Sequence, residues 1–119
     1  NSDVFGISLA KTLQCRGAKI SVTDTNDKEL KRKTSEADVL ITAVGKAKLI
    51  KKEMIKKDAV IIDIGISREG GKVCGDVDFE DVKDKAGYIT PVPGGIGPLT
   101  IAMAFKNVLE LYKKKGKKK

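Results

Sequence analysis

The chain predicts an α/β domain, a parallel sheet with helices on both faces, and three observations carry that prediction. Two short runs, 39–44 and 59–64, are almost continuously apolar, as expected of strands covered on both faces. Polar, helix-forming stretches alternate with the β-rich runs, the pattern of βαβ units around a parallel sheet. A loop dense in glycine and proline then delivers the chain to a long apolar helix.

Taken in order, Ser8 to Arg16 reads as a helix, with Ser8 at its N-cap and Gly17 as its C′ stop. Ala18 to Thr23 reads as a strand. Asp27 to Glu36 is a charged surface helix capped by Asn26 or Asp27, and Val39 to Val44 is the first continuous apolar strand. Lys51 to Lys56 is a short helix, and Ala59 to Ile64 is the second buried strand. The run Glu69-Gly70-Gly71-Lys72 is a tight hairpin turn, because both central glycines can take positive φ. Phe79 to Val82 is a helical turn and Gly87 to Thr90 a last short strand. The longest helix runs from Pro98, a residue suited to a helix start, to about Lys114. In it Phe105, Val108, Leu109 and Tyr112 fall at i, i+3, i+4 and i+7, and its first turns are apolar nearly all round, so cover on more than one side is expected.

Tyr88 to Thr100 holds three prolines and three glycines between a strand and a helix. Glycine lets a backbone approach a ligand closely, and proline stiffens the loop while removing donors. Such a loop presents bare peptide groups beside a helix N-terminus, where unpaired N–H groups and a positive dipole end collect. It reads as a ligand-contacting loop, with a tight structural turn as the plainer alternative.

At 119 residues the chain is one domain. Two cysteines fit neither a disulfide framework nor a zinc pattern and read as reduced thiols of a cytoplasmic protein. With no histidine, Ser–His and Cys–His nucleophile systems are excluded. No window has the apolar length to span a bilayer, and no signal peptide is visible. The net charge of +8 is misleading: six lysines lie in the last seven residues, and the rest carries 18 basic against 16 acidic groups. Residues 1–112 are the expected domain and 113–119 a lysine-rich disordered tail, so a nucleic-acid partner is not expected.

The run Pro91-Val92-Pro93-Gly94-Gly95-Ile96-Gly97-Pro98-Leu99-Thr100 resembles the signature of the bifunctional methylenetetrahydrofolate dehydrogenase/methenyltetrahydrofolate cyclohydrolase family. The likeness extends to Ala37–Gly45, to Asp58–Ile66 and to Gly75-Asp76-Val77, all in the family's order and spacing. From Ser2 to about Leu111 the chain is similar to that enzyme's C-terminal, NAD(P)-binding domain. The resemblance implies a Rossmann-like sheet, oxidation of the methylene bridge of the folate by hydride transfer to NADP or NAD, hydrolysis of the methenyl product, and a homodimer. One element is missing: such a fold starts with a strand leading into the phosphate loop, and here the chain enters a helix almost at once, with no G-x-G-x-x-G run. A fragment, a strand supplied from elsewhere or an incomplete sequence would each explain this. At the family's Gly-Arg-Ser position Ser2 and Gly6 match, whereas Asn1 stands where arginine is expected, Phe5 replaces a valine and Ser8 a proline.

The candidate cofactor contacts are Ser2, Gly6, Asp24, Thr25, Val44, Gly45, Ile66 and Thr100. Ser2 to Ser8 would meet the pyrophosphate through backbone N–H groups, or is an ordinary capped helix start. Asp24 follows the strand 18–23, the usual place for a carboxylate on the adenosine ribose, although Asp24 to Asp27 is equally a good turn and cap. Thr25 matches the family's serine for the 2′-phosphate of NADP, and the like charge of Asp24 beside it leans the site toward NAD. Val44, Gly45 and Ile66 end the two apolar strands, where open α/β sheets bind ligands. Asp63 is given a structural hydrogen-bonding role at least as readily as a functional one, and Lys46 and Lys48 are expected to be solvated. Pro93, Gly94, Gly95, Ile96 and Gly97 would line the junction with the folate. The family's Tyr-x-x-x-Lys motif is matched neither at Tyr88 nor at Tyr112, so no catalytic residue is assigned. The chain therefore reads as the cofactor half of an enzyme, whose folate-binding catalytic domain is elsewhere. Its rival is a non-enzymatic nucleotide-binding or scaffold module with a polybasic tail for RNA or anionic surfaces.

Overall fold

A computed structural model describes the backbone of residues 2–117 and the side chains of 6–98 and 102–113. The sheet is built from β1 (Val39–Thr42), β2 (Val60–Asp63) and β5 (Tyr88–Ile89), in the order β1-β2-β5 with both pairings parallel. Val39 pairs with Val60 and Thr42 with Asp63 along one side of β2, and Val60 with Tyr88 along the other. β1 and β2 therefore end level, at 42 and 63, and β5 ends at 89 opposite Ile61, two residues earlier. Between β2 and β5 the chain makes the hairpin β3 (Ser67–Glu69) and β4 (Lys72–Cys74). Gly70 and Gly71 both have positive φ, +59° and +78°, as the glycine pair predicts for a two-residue turn whose twist matches the strands.

The core lies against β2. Ile61 is fully buried with Ile50, Ile55, Ala59, Val77 and Val82, and Leu40, Leu49, Met54, Ala86 and Ile89 pack around them. Val82 comes from α3 (Phe79–Val82), so this four-residue turn anchors the connection into β5. Gly87 allows the return: a Cβ there would stand 2.5 Å from the carbonyl oxygen of Asp58.

Several expectations are corrected. Ala18 to Thr23 forms no ladder, since strand-forming residues become a strand only beside a partner, and none of the described strands pairs with them. The first helix, α1, runs Ser2–Cys15, so Ser8 lies inside it and is no N-cap; Thr12 Oγ1 donates to the Ser8 carbonyl at 2.9 Å. Its predicted stop holds, with Gly17 at φ +88°. The charged helix α2 spans only Leu30–Glu36, because Asp27 turns the chain before it, its Oδ1 accepting the Glu29 N–H at 2.8 Å. Residues 52–54 form a single 3₁₀ turn in place of the helix 51–56. Val39 is half exposed, so β1 is not covered along its whole length. The last helix, α4, spans Ile96–Lys117. Pro98 is thus its third residue, where a missing N–H still costs nothing. The helix extends past residue 112 to Lys117. Among its described residues the expected cover is missing from Met103 onward: Met103, Phe105, Val108, Leu109, Leu111 and Tyr112 are all exposed. No helix among the described residues is long and apolar enough to cross a membrane.

Candidate functional site at the strand ends

The parallel register brings three loops together at the C-terminal end of the sheet: 43–50 after β1, 64–66 after β2 and 90–97 after β5. Two buried aspartates hold them. Asp63, the last residue of β2, accepts through Oδ1 from the N–H of Gly65 (2.9 Å) and of Asp76 (3.1 Å), and through Oδ2 from the N–H of Val77 (2.9 Å). Its own N–H donates to Thr90 Oγ1 at 2.8 Å, which ties in the loop after β5. Burial pushes the Asp63 carboxyl above its ordinary range, while the three N–H donors pull the other way. Asp63 is therefore a structural hub, the reading the sequence left open.

Asp76, fully buried, accepts through Oδ2 from Thr42 Oγ1 (2.9 Å) and the Val44 N–H (2.7 Å), and through Oδ1 from the Lys46 N–H (3.1 Å). Sequence reasoning passed over this residue as part of a Gly-Asp-Val match. The signal was there in its neighbours: a Cβ on Gly65 would collide with the Asp76 carboxyl group, and one on Gly75 with that of Asp63. Those glycines make room for carboxylates. Gly45, between the two amides held by Asp76, has φ +72° and needs glycine for that reason.

Of the expected contacts, Val44, Gly45 and Ile66 are brought together at adjacent strand ends, with Val44 41% and Ile66 68% exposed. Asp24 and Thr25 join them from the turn 24–27, because Lys46 Nζ donates to Thr25 Oγ1 at 3.0 Å. Lys46 is thus not simply solvated, and neither is Lys48, which pairs with Glu69 at 2.7 Å. One oxygen of Asp24 is spent on its own turn, accepting the Asn26 N–H at 2.7 Å. Asp27 next to it is held well below the carboxylate range by Lys33, by the Glu29 N–H and by the Thr23 hydroxyl. Gly6 lies in α1 with open space on its Cβ side. The side chains of Ser2 and Thr100, and all of Asn1, lie outside the described residues.

In the loop after β5 the Val92–Pro93 peptide is cis and Gly94 has φ +99°. A Cβ on Gly95 would run into the Pro91 carbonyl oxygen and stand 3.2 Å from Thr90 Cβ. The crowding at Gly95 is therefore within the loop itself, whereas Gly97 faces open space. Apart from Thr90, whose hydroxyl is engaged by the Asp63 N–H, the loop offers only glycine, proline, valine and isoleucine, and no titratable side chain. Among the described residues no cluster of acidic or cysteine side chains is arranged to hold a metal ion.

Comparison with known proteins matches residues 1–116 to the family model described as tetrahydrofolate dehydrogenase/cyclohydrolase, NAD(P)-binding domain. The chain is 50% identical over 115 residues to the bifunctional protein FolD of Mycoplasma capricolum, covering 95% of this chain and 40% of that protein. It is also 50% identical over 112 residues to the FolD of Aquifex aeolicus, covering 94% and 38%. Among solved structures it is similar to the bifunctional FolD methylenetetrahydrofolate dehydrogenase/cyclohydrolase of Campylobacter jejuni, with a TM-score of 0.85 at 44% identity, covering 89% of this chain and 38% of that one. A Trypanosoma brucei methylenetetrahydrofolate dehydrogenase-cyclohydrolase, solved with NADP and an inhibitor, matches with a TM-score of 0.77 at 33% identity, covering 82% and 36%. The chain spans about two-fifths of the length of the relatives it matches.

Proposed function

The chain belongs to the tetrahydrofolate dehydrogenase/cyclohydrolase family, as its NAD(P)-binding domain, and from that premise we propose that it holds the nicotinamide cofactor for methylenetetrahydrofolate oxidation. The observation that carries the proposal is the convergence of Val44, Gly45, Ile66 and the loop 90–97 at one end of a parallel sheet, where open α/β folds bind dinucleotides. The site suits such a group: glycine at positive φ lets the main chain come close, and exposed aliphatic side chains flank it. When bound, the cofactor accepts a hydride from the methylene bridge of the folate.

The chain's own part is binding, orientation and exclusion of water. Ser2, Gly6 and the backbone amides at the start of α1 take the pyrophosphate, a reading supported by a helix that begins at Ser2. Asp24 and Thr25 receive the adenosine ribose. Val44, Gly45, Ile66 and Thr100 receive the nicotinamide end. Pro93, Gly94, Gly95, Ile96 and Gly97 shape the junction with the folate through backbone and surface alone. Acid–base groups for the cyclohydrolase step come from the folate-binding region that the relatives carry beyond this domain, in an assembly that is a homodimer in the cytoplasm. Asp24 leans the site toward NAD. The rival of a scaffold with a polybasic tail loses its footing, because the family match runs to residue 116 and residues 113–117 continue α4.

Chemical-shift mapping of the chain titrated with NAD and with NADP tests this. Shifts are expected at Gly45, Ile66 and Thr25; shifts confined to the opposite end of the strands, around residues 38 and 59, would refute the placement.

A further inference from the structure

Burying a carboxylate is costly unless several donors face it. At the end of β1 the fold accepts that cost for Asp76, which is fully buried and meets one hydroxyl and two backbone N–H groups. The two amides, of Val44 and Lys46, flank Gly45. With both drawn onto one carboxyl group, the turn is held at the positive φ of Gly45 by the protein alone. In the loop after the neighbouring strand, Gly65 has its missing side chain toward the same carboxyl group. Asp76 is itself fixed from behind, since its N–H donates to Asp63. Its carbonyl accepts the Ile50 N–H at 2.9 Å, which anchors the far end of the loop after β1. Two strand ends are thus shaped around a single buried side chain, and the exposed Val44 and Ile66 belong to the two turns that meet it.

We propose that Asp76 is a positioning residue for the dinucleotide: it pre-forms the Val44–Lys46 turn and sets where Val44 and Ile66 stand, touching neither cofactor nor substrate. The inference rests on the NAD(P)-binding reading above. A residue that merely supported the fold would weaken the domain as a whole. A positioning residue moves affinity through one turn, and Thr42 separates the two roles. Its hydroxyl binds the same carboxylate but belongs to the strand and not to the turn.

The test uses the 119-residue chain, with NAD and NADP binding measured by calorimetry and amide exchange by NMR. In the ligand-free chain the Val44 and Lys46 amides should exchange roughly 100-fold or more slowly than in an unstructured peptide. Asp76→Asn, which turns a donor toward at least one of these amides, should raise Kd about 10-fold or more and speed exchange at Val44 and Lys46. Thr42→Val should lower the melting temperature yet leave Kd within about twofold. Unprotected Val44 and Lys46 amides in the ligand-free wild type would overturn the proposal even if Asp76→Asn does not fold. Equal affinities of Asp76→Asn and wild type, or an equal loss in Thr42→Val, would overturn it while leaving cofactor binding intact. A wild-type chain that binds neither dinucleotide would overturn the NAD(P)-binding reading and this inference together.

Discussion

Replacing Asp63 with alanine should be among the most damaging single changes in the domain. The carboxylate accepts three backbone N–H groups, at 2.9, 3.1 and 2.9 Å, in a site where the residue is 3% exposed. Each buried donor left without an acceptor costs about 1–3 kcal/mol, so the sum is roughly 3–9 kcal/mol, with water entering the gap favouring the lower end. Against the ~5–15 kcal/mol of a typical domain, even the lower end is a large share. Asp63→Asn should cost less, about 1–3 kcal/mol, because an amide oxygen in the place of Oδ1 still serves Gly65 and Asp76 and only Val77 loses its acceptor.

Equilibrium urea unfolding followed by circular dichroism, from about pH 3.5 to 8 so that the range starts below the unfolded carboxyl value, gives the ranking. Burial holds the folded Asp63 pKa above its unfolded value, so the folded chain keeps this proton to higher pH than the unfolded one. Wild-type stability from this group is then full below the unfolded pKa and is lost as pH rises through the folded pKa. Asp63→Asn cannot titrate there, and its deficit should shrink as pH rises across that window. An alanine variant within about 1 kcal/mol of wild type, or an asparagine variant worse than alanine, would refute the reasoning.

Asp24→Ser should narrow or reverse a preference for NAD in a binding titration. Asp24 Oδ1 already accepts the Asn26 N–H, so the ribose hydroxyls compete with that turn for one oxygen and meet Oδ2 freely, each charge-assisted bond contributing about 1.5–3 kcal/mol. A wild-type preference for NADP would show that Lys46 and Thr25 decide the matter. Gly95→Val should shift the loop resonances of residues 90–97 even without ligand, because its Cβ meets the Pro91 carbonyl; an unperturbed loop in the ligand-free variant would place the crowding at the folate junction instead. Acid unfolding should set in as pH falls below about 4, because Asp27 and Asp78 are held low by Lys33 and Lys51 and their contribution, present above the unfolded pKa, is lost on protonation. Lys51→Gln should move the acid midpoint upward, and an unchanged midpoint would count against that pairing. The chain alone should turn over no methylenetetrahydrofolate, since positioning the folate carbon can supply ~7–11 kcal/mol of barrier lowering and the loop 90–97 carries no acid–base group. Folate-dependent reduction of either dinucleotide by the purified chain would overturn this.

What the sequence made legible was the structure set by local chemistry. The apolar run 59–64 became β2, and Gly70-Gly71 made the hairpin because only glycine takes two positive φ angles in succession without strain. Val44, Gly45 and Ile66 were read as strand-end residues, and they do lie together just beyond the ends of β1 and β2. What it hid were properties of pairing. Residues 18–23 have strand composition, but a strand is a relation between two segments. The apolar stripe of α4 says that a face suits cover, not that this chain supplies it. Asp63 and Asp76 lie 13 residues apart and read as two ordinary acids; only the return of the chain after the hairpin brings one N–H onto the other carboxylate.

Placement of charge follows a division of labour. The two fully engaged carboxylates lie behind the strand ends, with their oxygens committed to backbone amides, while the surface in front carries exposed Val44 and Ile66 with Lys46 and Thr25 at its edge, and the loop after β5 adds glycine and proline. A site that itself moved protons would need a titratable group facing the ligand. A site that holds a cofactor needs fixed backbone and a surface of defined shape, and a buried acid that collects amides provides the first without intruding on the second. Gly65 and Gly75 mark where the two demands meet, since any larger residue would push an aspartate off the amides it holds. On the proposed cofactor-binding reading the acids act on the ligand surface through the turns they hold, so substitutions at the two glycines should alter binding even though neither glycine needs to touch what binds there.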